Sequence, residues 1–314
     1  MQRTAGPVAS SAVLEVGVMT RRGSEERRRV REERQQRAVE AVVAHARENG
    51  LRVEEPTVLN DLFSLMVHLK PAPVVARVAT CMPKLRTPIE GWLEREIAVT
   101  SYLAEQGAPV VVPSRELPPG PHERDGFPIS FWTYVEPDPE RTPTNDDCSA
   151  TLVDLHTTLR AYPGELPMLC ADDVPRGLKM SDRSADFLDE SDADLLRASA
   201  ERLRPIWEAP GGEVRPLHGD VHPGNLIAAR GGEMMWIDFE DVCLGPPEWD
   251  LATMMDEEAV AKYHDPDPEM LARCTELRTL QVALALIVFR EDFGDMKGWD
   301  EGIRSTLDIL TSAS

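Results

Sequence analysis

Two acids and an amide stand close together in one short stretch, HGDVHPGNLIAARGGEMMWIDFE, which spans residues 218–240. Asp220 lies in a segment whose glycines and proline exclude a regular helix or strand, so we expect a fixed loop there. A carboxylate held in such a loop can accept the proton of a hydroxyl group. Asp220 is therefore a candidate general base.

The Gly231-Gly232 pair predicts a two-residue hairpin turn between two short apolar runs. In that register Asn225 stands directly opposite Asp238, with Cβ atoms about 4.5–5.5 Å apart. Mg²⁺ is commonly held by one or two such oxygen ligands together with substrate phosphates and water. The pair thus predicts a magnesium site facing a nucleotide.

A second interpretation of the same stretch is a metallohydrolase. His218, Asp220 and His222 form an H-x-D-x-H pattern that could bind zinc or manganese. That interpretation leaves Asn225 and Asp238 without a purpose, so the nucleotide site is preferred. A further histidine, His156, lies on an apolar-rich helix and is expected to be a hydrogen-bonded packing residue.

The pattern HxDxxxxN, a hairpin and then Asp-Phe resembles the catalytic and metal-binding pattern of the protein kinase-like fold. The local form HGDVHPGN…IDFEDVCLGPPEWDLA is similar to the aminoglycoside phosphotransferase and choline kinase group. The resemblance implies that Asp220 is the catalytic base, that Asn225 and Asp238 bind Mg²⁺, and that His218 and Asp250 hold the loop in shape. Asp250 also has an ordinary explanation as a helix N-cap.

The same resemblance implies a cation on the third strand, oriented by a glutamate on the next helix. Arg77 in VVARV and Glu96 in REIAV take those positions, with Arg in place of the usual Lys. No G-x-G-x-x-G loop is present, and the sequence NDLFSLMVHL occupies its place. We expect the Ser64 hydroxyl to assist phosphate binding and the backbone near Tyr134 and Val135 to face adenine.

A long helix is predicted from Ser24 to a C-cap at Asn49-Gly50, since the segment has neither Gly nor Pro and is rich in helix formers. Its apolar second half is expected to dock on a core; the side chains concerned are Ala38, Val39, Val42, Val43 and Ala46. Its polar first half, and the acidic run EDFGD at 291–295, are expected to be solvated.

The fold class predicted is α+β: a two-lobed protein kinase-like fold with a small antiparallel-sheet N-lobe and a mainly helical C-lobe. Four strands are expected in the N-lobe, with a helix at 88–107 between the second and third; the strands are 64–70, 73–80, 108–114 and 127–135. The domain boundaries expected are 1–37 for a basic arm and the start of the long helix, 38–135 for the N-lobe and 136–314 for the C-lobe.

Composition excludes several classes of protein. The formal net charge is −21, and residues 1–40 hold nine Arg and six Glu, which leaves 25 basic against 49 acidic residues in the remainder. We therefore do not expect the body of the protein to bind nucleic acid. The five scattered cysteines argue for reduced thiols in a cytoplasmic chain, and no apolar run approaches the roughly 20 residues of a membrane span.

The function predicted is a phosphotransferase that moves the γ-phosphoryl group of ATP or GTP, with Mg²⁺, to a hydroxyl of a small molecule. The acceptor predicted is a small cationic or polyhydroxylated molecule, such as an aminoglycoside-like antibiotic, an amino sugar or an amino alcohol. The acidic surface could steer a cationic substrate, and a solvated surface without such a role is the alternative. A catalytically inactive kinase-like binding protein is the remaining alternative, since the Gly-rich loop is missing.

Overall fold

The computed structural model describes residues 9–182, 187–254, 257–261, 263 and 266–313, of which 9–22, 257 and 259 are described by their backbone alone. The first lobe contains α1 (Ala9–Glu48), β1 (Val53–Asp61), β2 (Leu65–Pro71), β3 (Val74–Val78), α2 (Glu90–Glu105), β4 (His122–Arg124) and β5 (Phe127–Thr133). Its five strands form one antiparallel sheet in the order β1-β2-β3-β5-β4.

The second lobe is mainly helical, as predicted. Its helices are α3 (Asn145–Leu159), α4 (Asp173–Ser181), α5 (Glu190–Leu203), α6 (Pro205–Glu208), α7 (Glu248–Met254), α8 (Glu257–Ala261), α9 (Pro268–Val288), α10 (Arg290–Phe293) and α11 (Trp299–Ala313). Its strands form two short antiparallel pairs: β6 (Arg215–Leu217) with β9 (Cys243–Gly245), and β7 (Leu226–Ala228) with β8 (Met234–Trp236). The α+β, two-lobed fold class is confirmed.

The strand prediction is wrong at 108–114, and it omits two strands, β1 and the three-residue β4. The segment 108–114 makes only isolated bridges at Val110 and Pro113, because prolines remove donors that a ladder needs. The edge strand β1 was not predicted, since most of its side chains are exposed and it shows no alternation of apolar and polar residues.

The sheet has two different faces. Arg77 on β3 pairs with Met66 on β2 and with Ser130 on β5, so these three side chains share the face opposite α1. The other face packs against the second half of α1 and forms an apolar core; its α1 members are Ala38, Ala41, Val42 and Ala46. Docking of that half is confirmed.

Helix α1 begins at Ala9, well before the predicted Ser24, and ends at Glu48. Gly50 has φ +86°, and the N–H of Leu51 donates to the carbonyl of Ala46 at 3.0 Å. These two observations confirm the predicted C-cap.

The polar half of α1 reaches the other lobe, contrary to prediction. Arg31 contacts Asp295 at 2.7 Å and Arg34 contacts Asp292 at 2.6 Å. The carboxylates of Asp292 and Asp295 are 8 % and 9 % exposed, so the prediction of a solvated acidic run is wrong. Sequence periodicity does not show such partners because they lie more than 250 residues apart.

Phe63, at the turn between β1 and β2, also crosses between the lobes. Its ring lies 5.1 Å from Phe289, 5.8 Å from Phe293 and 6.4 Å from Trp299. The turn that a Gly-rich loop would occupy is thus anchored on aromatic side chains of the second lobe.

All five cysteines are buried and unpaired. Within the described residues, no helix is long and apolar enough to cross a bilayer. The three domain ranges remain predictions, and residues 1–8 of the first range lie outside the described residues.

Candidate active site

The buried carboxylate of Asp250 supports the loop that carries Asp220. Asp250 is fully buried, and its two oxygens accept hydrogen bonds from the backbone N–H groups of His218 and Gly219, both at 2.8 Å. Gly219 has φ +92°, and a Cβ there would lie 1.9 Å from the carbonyl oxygen of Asp241. Only glycine therefore fits this close approach.

His156 on α3 braces that carboxylate. Its Nε2 lies 2.8 Å from Asp250 Oδ2, and its Nδ1 lies 2.7 Å from the Tyr263 hydroxyl. Burial opposes ionisation of Asp250, yet the hydrogen bond from His156 and the backbone donors lower its pKa. His156 is a hydrogen-bonded packing residue, as expected, and the structure adds that its partner is Asp250.

Asp220 faces three polar neighbours. The Asn225 amide donates to the Asp220 carbonyl at 2.8 Å and to Oδ2 at 3.1 Å; His222 Nε2 lies 3.4 Å from Oδ2 and Arg278 Nη1 lies 3.5 Å from Oδ1. Although burial opposes it, the hydrogen bond from His222 and the charge of Arg278 lower the pKa of Asp220. The side chain is therefore a carboxylate at neutral pH, able to receive a proton.

The metal-site register is corrected by one residue. Leu226 pairs with Trp236, and Ile237 N donates to Asn225 O at 3.0 Å, so Asn225 faces Ile237 rather than Asp238. Only Gly232 of the two glycines has a positive φ, +91°, because the turn has three residues rather than two.

Asp238 nevertheless returns toward the site by leaving the strand geometry. Its backbone is left-handed, with φ 64° and ψ 59°, and its Oδ1 lies 2.8 Å from Arg77 Nη1. The amide nitrogen of Asn225 donates to Asp220, so the Asn225 Oδ1 atom is the one that could hold a metal ion. An amide oxygen and a carboxylate fit the oxygen preference of Mg²⁺.

The predicted cation and its partner meet as expected. Arg77 is 5 % exposed, and its Nη1 lies 2.8 Å from Glu96 Oε1 as well as 2.8 Å from Asp238. Its Nη2 lies 2.5 Å from Glu240 Oε2. The guanidinium thus joins the N-lobe to the segment that contains Asp238 and Glu240.

Glu240 and Arg86 were not identified in the sequence. Glu240 bridges the two arginines, with Arg86 Nη1 2.8 Å from its Oε1, and Arg86 Nη2 contacts Asp241 at 2.5 Å and Asp173 at 3.3 Å. The acids that directly follow Asp-Phe in IDFED were a signal for Glu240. Arg86 lies 154 residues from Glu240 in sequence, and no local motif indicates it.

The acids of this cluster outnumber its arginines, and burial opposes their ionisation. Burial raises the pKa of Glu96 to about 8 against the opposing charge of Arg77, and the neighbouring Asp238 and Glu240 add to the rise. The pKa of Asp241 is likewise raised to about 8, by burial against the opposing charge of Arg86. The cluster would therefore gain stability from a bound cation.

The remaining predicted nucleotide residues lie nearby but make no diagnostic contact. Ser64 is 9 % exposed, and its hydroxyl has no hydrogen-bond partner among the residues that the structure describes. The Tyr134 N–H donates to the carbonyl of Pro73 at 2.9 Å, and the Tyr134 ring stacks on the ring of His68 with centroids 3.7 Å apart. Val135 follows Tyr134 between the lobes, and its role stays a prediction.

The structure disfavours the zinc or manganese cluster. Burial lowers the pKa of His218, whose Nε2 donates to Ile237 O at 3.0 Å while Nδ1 accepts from Asp220 N at 3.3 Å. Both of its ring nitrogens are used inside the protein. Among the described residues, no group of three His, Cys, Asp or Glu side chains could hold a metal.

Solved structures share this architecture. Choline kinase LicA from Streptococcus pneumoniae has a TM-score of 0.63 at 15 % identity, covering 87 % of this chain and 99 % of LicA. Amicoumacin kinase hAmiN, in complex with AMP-PNP, Ca²⁺ and Ami, has a TM-score of 0.65 at 12 % identity, covering 87 % and 93 %. The GDP and kanamycin complex of APH(2″)-IIIa has a TM-score of 0.57 at 17 % identity, covering 87 % and 99 %.

At these identities the structural likeness shows the fold alone. No curated protein sequence matches the chain significantly. The sequence profile of the phosphotransferase enzyme family, APH, matches residues 88–276, which is more than half of the 314 residues. The prediction of a small-molecule phosphotransferase is thereby confirmed, and the chain belongs to the phosphotransferase enzyme family.

Proposed function

We propose that the protein transfers the γ-phosphoryl group of a nucleoside triphosphate to a hydroxyl of a small cationic molecule. The observation that carries the proposal is the meeting of Arg77, Glu96 and Asp238 beside the loop of Asp220 and Asn225. These groups come from both lobes, and together they match the parts that phosphoryl transfer requires.

In this proposal Asp220 receives the proton of the acceptor hydroxyl as the oxygen attacks. Asn225 and Asp238 would hold Mg²⁺, which when bound would neutralise charge on the phosphates. Arg77, oriented by Glu96 and Glu240, neutralises further phosphate charge. Most of the acceleration would come from positioning and preorganised charge.

The acceptor is proposed to bind beside Gly219, next to the loop of Asp220. The pocket there has a volume of about 20 Å³, which is room for one water molecule, so it would have to widen to admit the acceptor. Three carboxylates line or adjoin it, Asp172, Asp173 and Asp241. The raised pKa of Asp241, about 8, reflects burial that nearby positive charge does not offset. An acceptor with an ammonium group would supply that missing charge.

Aromatic side chains contribute less to this preference than the carboxylates do. Trp92 and Trp249 line the pocket, but Arg86 lies 4.2 Å from the ring of Trp92 and Arg278 lies 3.9 Å from the ring of Trp249. Guanidinium groups already occupy the cation–π positions on both rings. Selection of a cation is thus expected to rest on charge.

The donor is proposed to be ATP or GTP. Kinase-like structures have been solved with AMP-PNP in one case and with GDP in another. In this chain the hinge backbone near Tyr134 and Val135 would face the base.

The test is transfer of a labelled γ-phosphoryl group from Mg·ATP and Mg·GTP to a panel of amino alcohols, amino sugars and aminoglycosides. Each amine is paired with the neutral alcohol of the same carbon skeleton. We expect labelled phosphate ester with at least one amine and weaker transfer to its neutral counterpart. Equal transfer to both members of every pair would refute the cationic acceptor, and bound nucleotide without any transfer or hydrolysis would support the inactive binding protein.

A further inference from the structure

The second lobe contains a cavity that shares no lining residue with the proposed nucleotide and metal residues. Its volume is about 460 Å³, and it lies between α3, the segment 211–215, the start of α7 and the first turn of α9. Polar side chains of both charges line it. A cavity of this size can enclose a small metabolite.

Two arginines on one part of the lining share a single acid. Arg160 Nη2 lies 2.7 Å from Glu213 Oε1, while Arg215 Nη1 lies 3.8 Å from the same oxygen. The Arg215 Nε atom is buried and has no hydrogen-bond partner within the described residues. This part of the cavity therefore has one positive charge more than its acid offsets.

Two acids line another part, at the N-termini of α7 and α9. Glu248 is 7 % exposed, and its Oε1 accepts from the backbone N–H of Asp267 at 3.0 Å. Asp267 caps α9 through the N–H groups of Glu269 and Met270. Within the described part of the chain, neither carboxylate lies within 4.0 Å of a Lys or Arg nitrogen. The lining is thus cationic at α3 and β6 and anionic at α7 and α9.

A line of hydrogen bonds leads from this cavity to the catalytic loop. Arg215 Nη2 donates to the Tyr263 hydroxyl, which lies 2.7 Å from His156 Nδ1. His156 Nε2 lies 2.8 Å from Asp250, whose carboxylate accepts from the backbone N–H groups of His218 and Gly219. Since His156 donates to Asp250 through Nε2, its Nδ1 must accept the bond from the cavity side.

We propose that this cavity binds a small dipolar metabolite with one carboxylate and one ammonium group, the chemistry of a free α-amino acid. The carboxylate pairs with Arg215 and Arg160, and the ammonium group pairs with Glu248 and Asp267. Occupancy repositions the line through Tyr263 and His156 and so changes the catalytic loop; this last step rests on the proposed function.

The binding part is tested by thermal unfolding of the full chain with the free L-amino acids at low millimolar concentration. Two matched probes carry one charge each: the N-acetyl derivative and the carboxamide. We expect at least one amino acid to raise the Tm by about 2–4 °C, with both single-charge probes about tenfold weaker or silent.

Thr157 lines the cavity, so Thr157→Trp places a bulky ring at its wall and narrows it, and Asp154→Trp places the same side chain on an exposed position of the same helix. The rise in Tm should disappear in the first variant and persist in the second. No rise with any amino acid, an equal rise with a single-charge probe, or a rise that survives Thr157→Trp would overturn the site.

These measurements of Tm need no nucleotide, so their outcome is independent of the test of the proposed function. The coupling is then measured as kcat at saturating substrates with and without the bound amino acid. We expect about a two- to fivefold change in wild type and none in Thr157→Trp. Binding without any change in kcat would refute the coupling.

Discussion

The loop of Asp220 and the cluster around Arg77 both contain buried carboxyl groups, yet the pKa values of these groups move in opposite directions. In the loop, the pKa of Asp250 is lowered, since His156 and two backbone N–H groups donate to it. In the cluster, burial raises the pKa of Glu96 and of Asp241 to about 8. Hydrogen-bond donors therefore compensate the buried carboxylate of the loop, whereas the positive charges of the cluster do not compensate the burial of Glu96 and Asp241.

The charges of the cluster explain the difference. Two arginines, Arg77 and Arg86, face five carboxylates: Asp173, Glu96, Asp238, Glu240 and Asp241. The loop is complete without a ligand, whereas the cluster lacks positive charge. A cation bound beside these acids would reduce the shortage.

The largest expected effect separates chemistry from binding. Asp220→Asn removes the proton acceptor while keeping the shape of the loop, so kcat should fall by about 10²–10⁴-fold. The dissociation constant for Mg·nucleotide, measured by calorimetry, should stay within about twofold. A similar loss in binding would show that Asp220 belongs to the nucleotide site and is not the base.

The next effect is a loss of stability when Asp250, which supports the loop of Asp220, is replaced. Asp250→Asn leaves a buried backbone donor without a good acceptor, and we expect a loss of about 2–3 kcal/mol in the free energy of unfolding. Urea denaturation measures it. Asp154→Asn, at an exposed position of α3, serves as the control and should change stability by less than about 0.5 kcal/mol. Equal stability of the two variants would contradict the bracing role.

A smaller effect is expected from the bridge between the arginines. Glu240→Gln weakens the hold on Arg77 Nη2, so the KM for nucleotide should rise by about five- to tenfold, with kcat at saturating nucleotide nearly unchanged. Steady-state kinetics with Glu233→Gln, an exposed neighbour, gives the comparison. A fall in kcat without a change in KM would argue against a role in holding Arg77 for phosphate binding.

The sequence predicted the loop better than the cluster for a physical reason. Asp220 and Asn225 lie within six residues, where the spacing of glycines and proline restricts the backbone. Arg77 and Glu96 could be inferred only from the order of strands and helix.

Contacts that span the chain gave no local signal. Arg86 meets Glu240, and Arg278 meets Asp220, only after the lobes assemble. The predicted hairpin register is wrong by one residue because two adjacent glycines are typical of a two-residue turn, whereas this turn has three residues. Only Gly232 takes the positive φ, and Asp238 reaches Arg77 through its left-handed backbone instead.

The last prediction is a pH dependence within the cluster. The pKa of Glu96 rises from 4.5 when unfolded to about 8 when folded, so the folded state favours the protonated form. Its contribution to stability is present below about pH 4.5 and is lost as pH rises toward 8.

Glu96→Gln cannot ionise, so wild type should lose stability relative to this variant between pH 5 and 8 and no further above that. Urea midpoints across this range measure the difference, with Glu94→Gln on the exposed side of α2 as the control. A difference that stays constant, or that moves in favour of wild type, would contradict the raised pKa.

The central claim is that the acid-rich cluster and the catalytic loop form one Mg·nucleotide site, and calorimetric titration tests it most directly. ATP and GTP are titrated with and without Mg²⁺ into wild type, Asp238→Ala and Asp220→Asn. We predict metal-dependent binding in wild type and Asp220→Asn, and binding at least about tenfold weaker in Asp238→Ala. Binding that ignores the metal, or that Asp238→Ala leaves unchanged, would contradict the account.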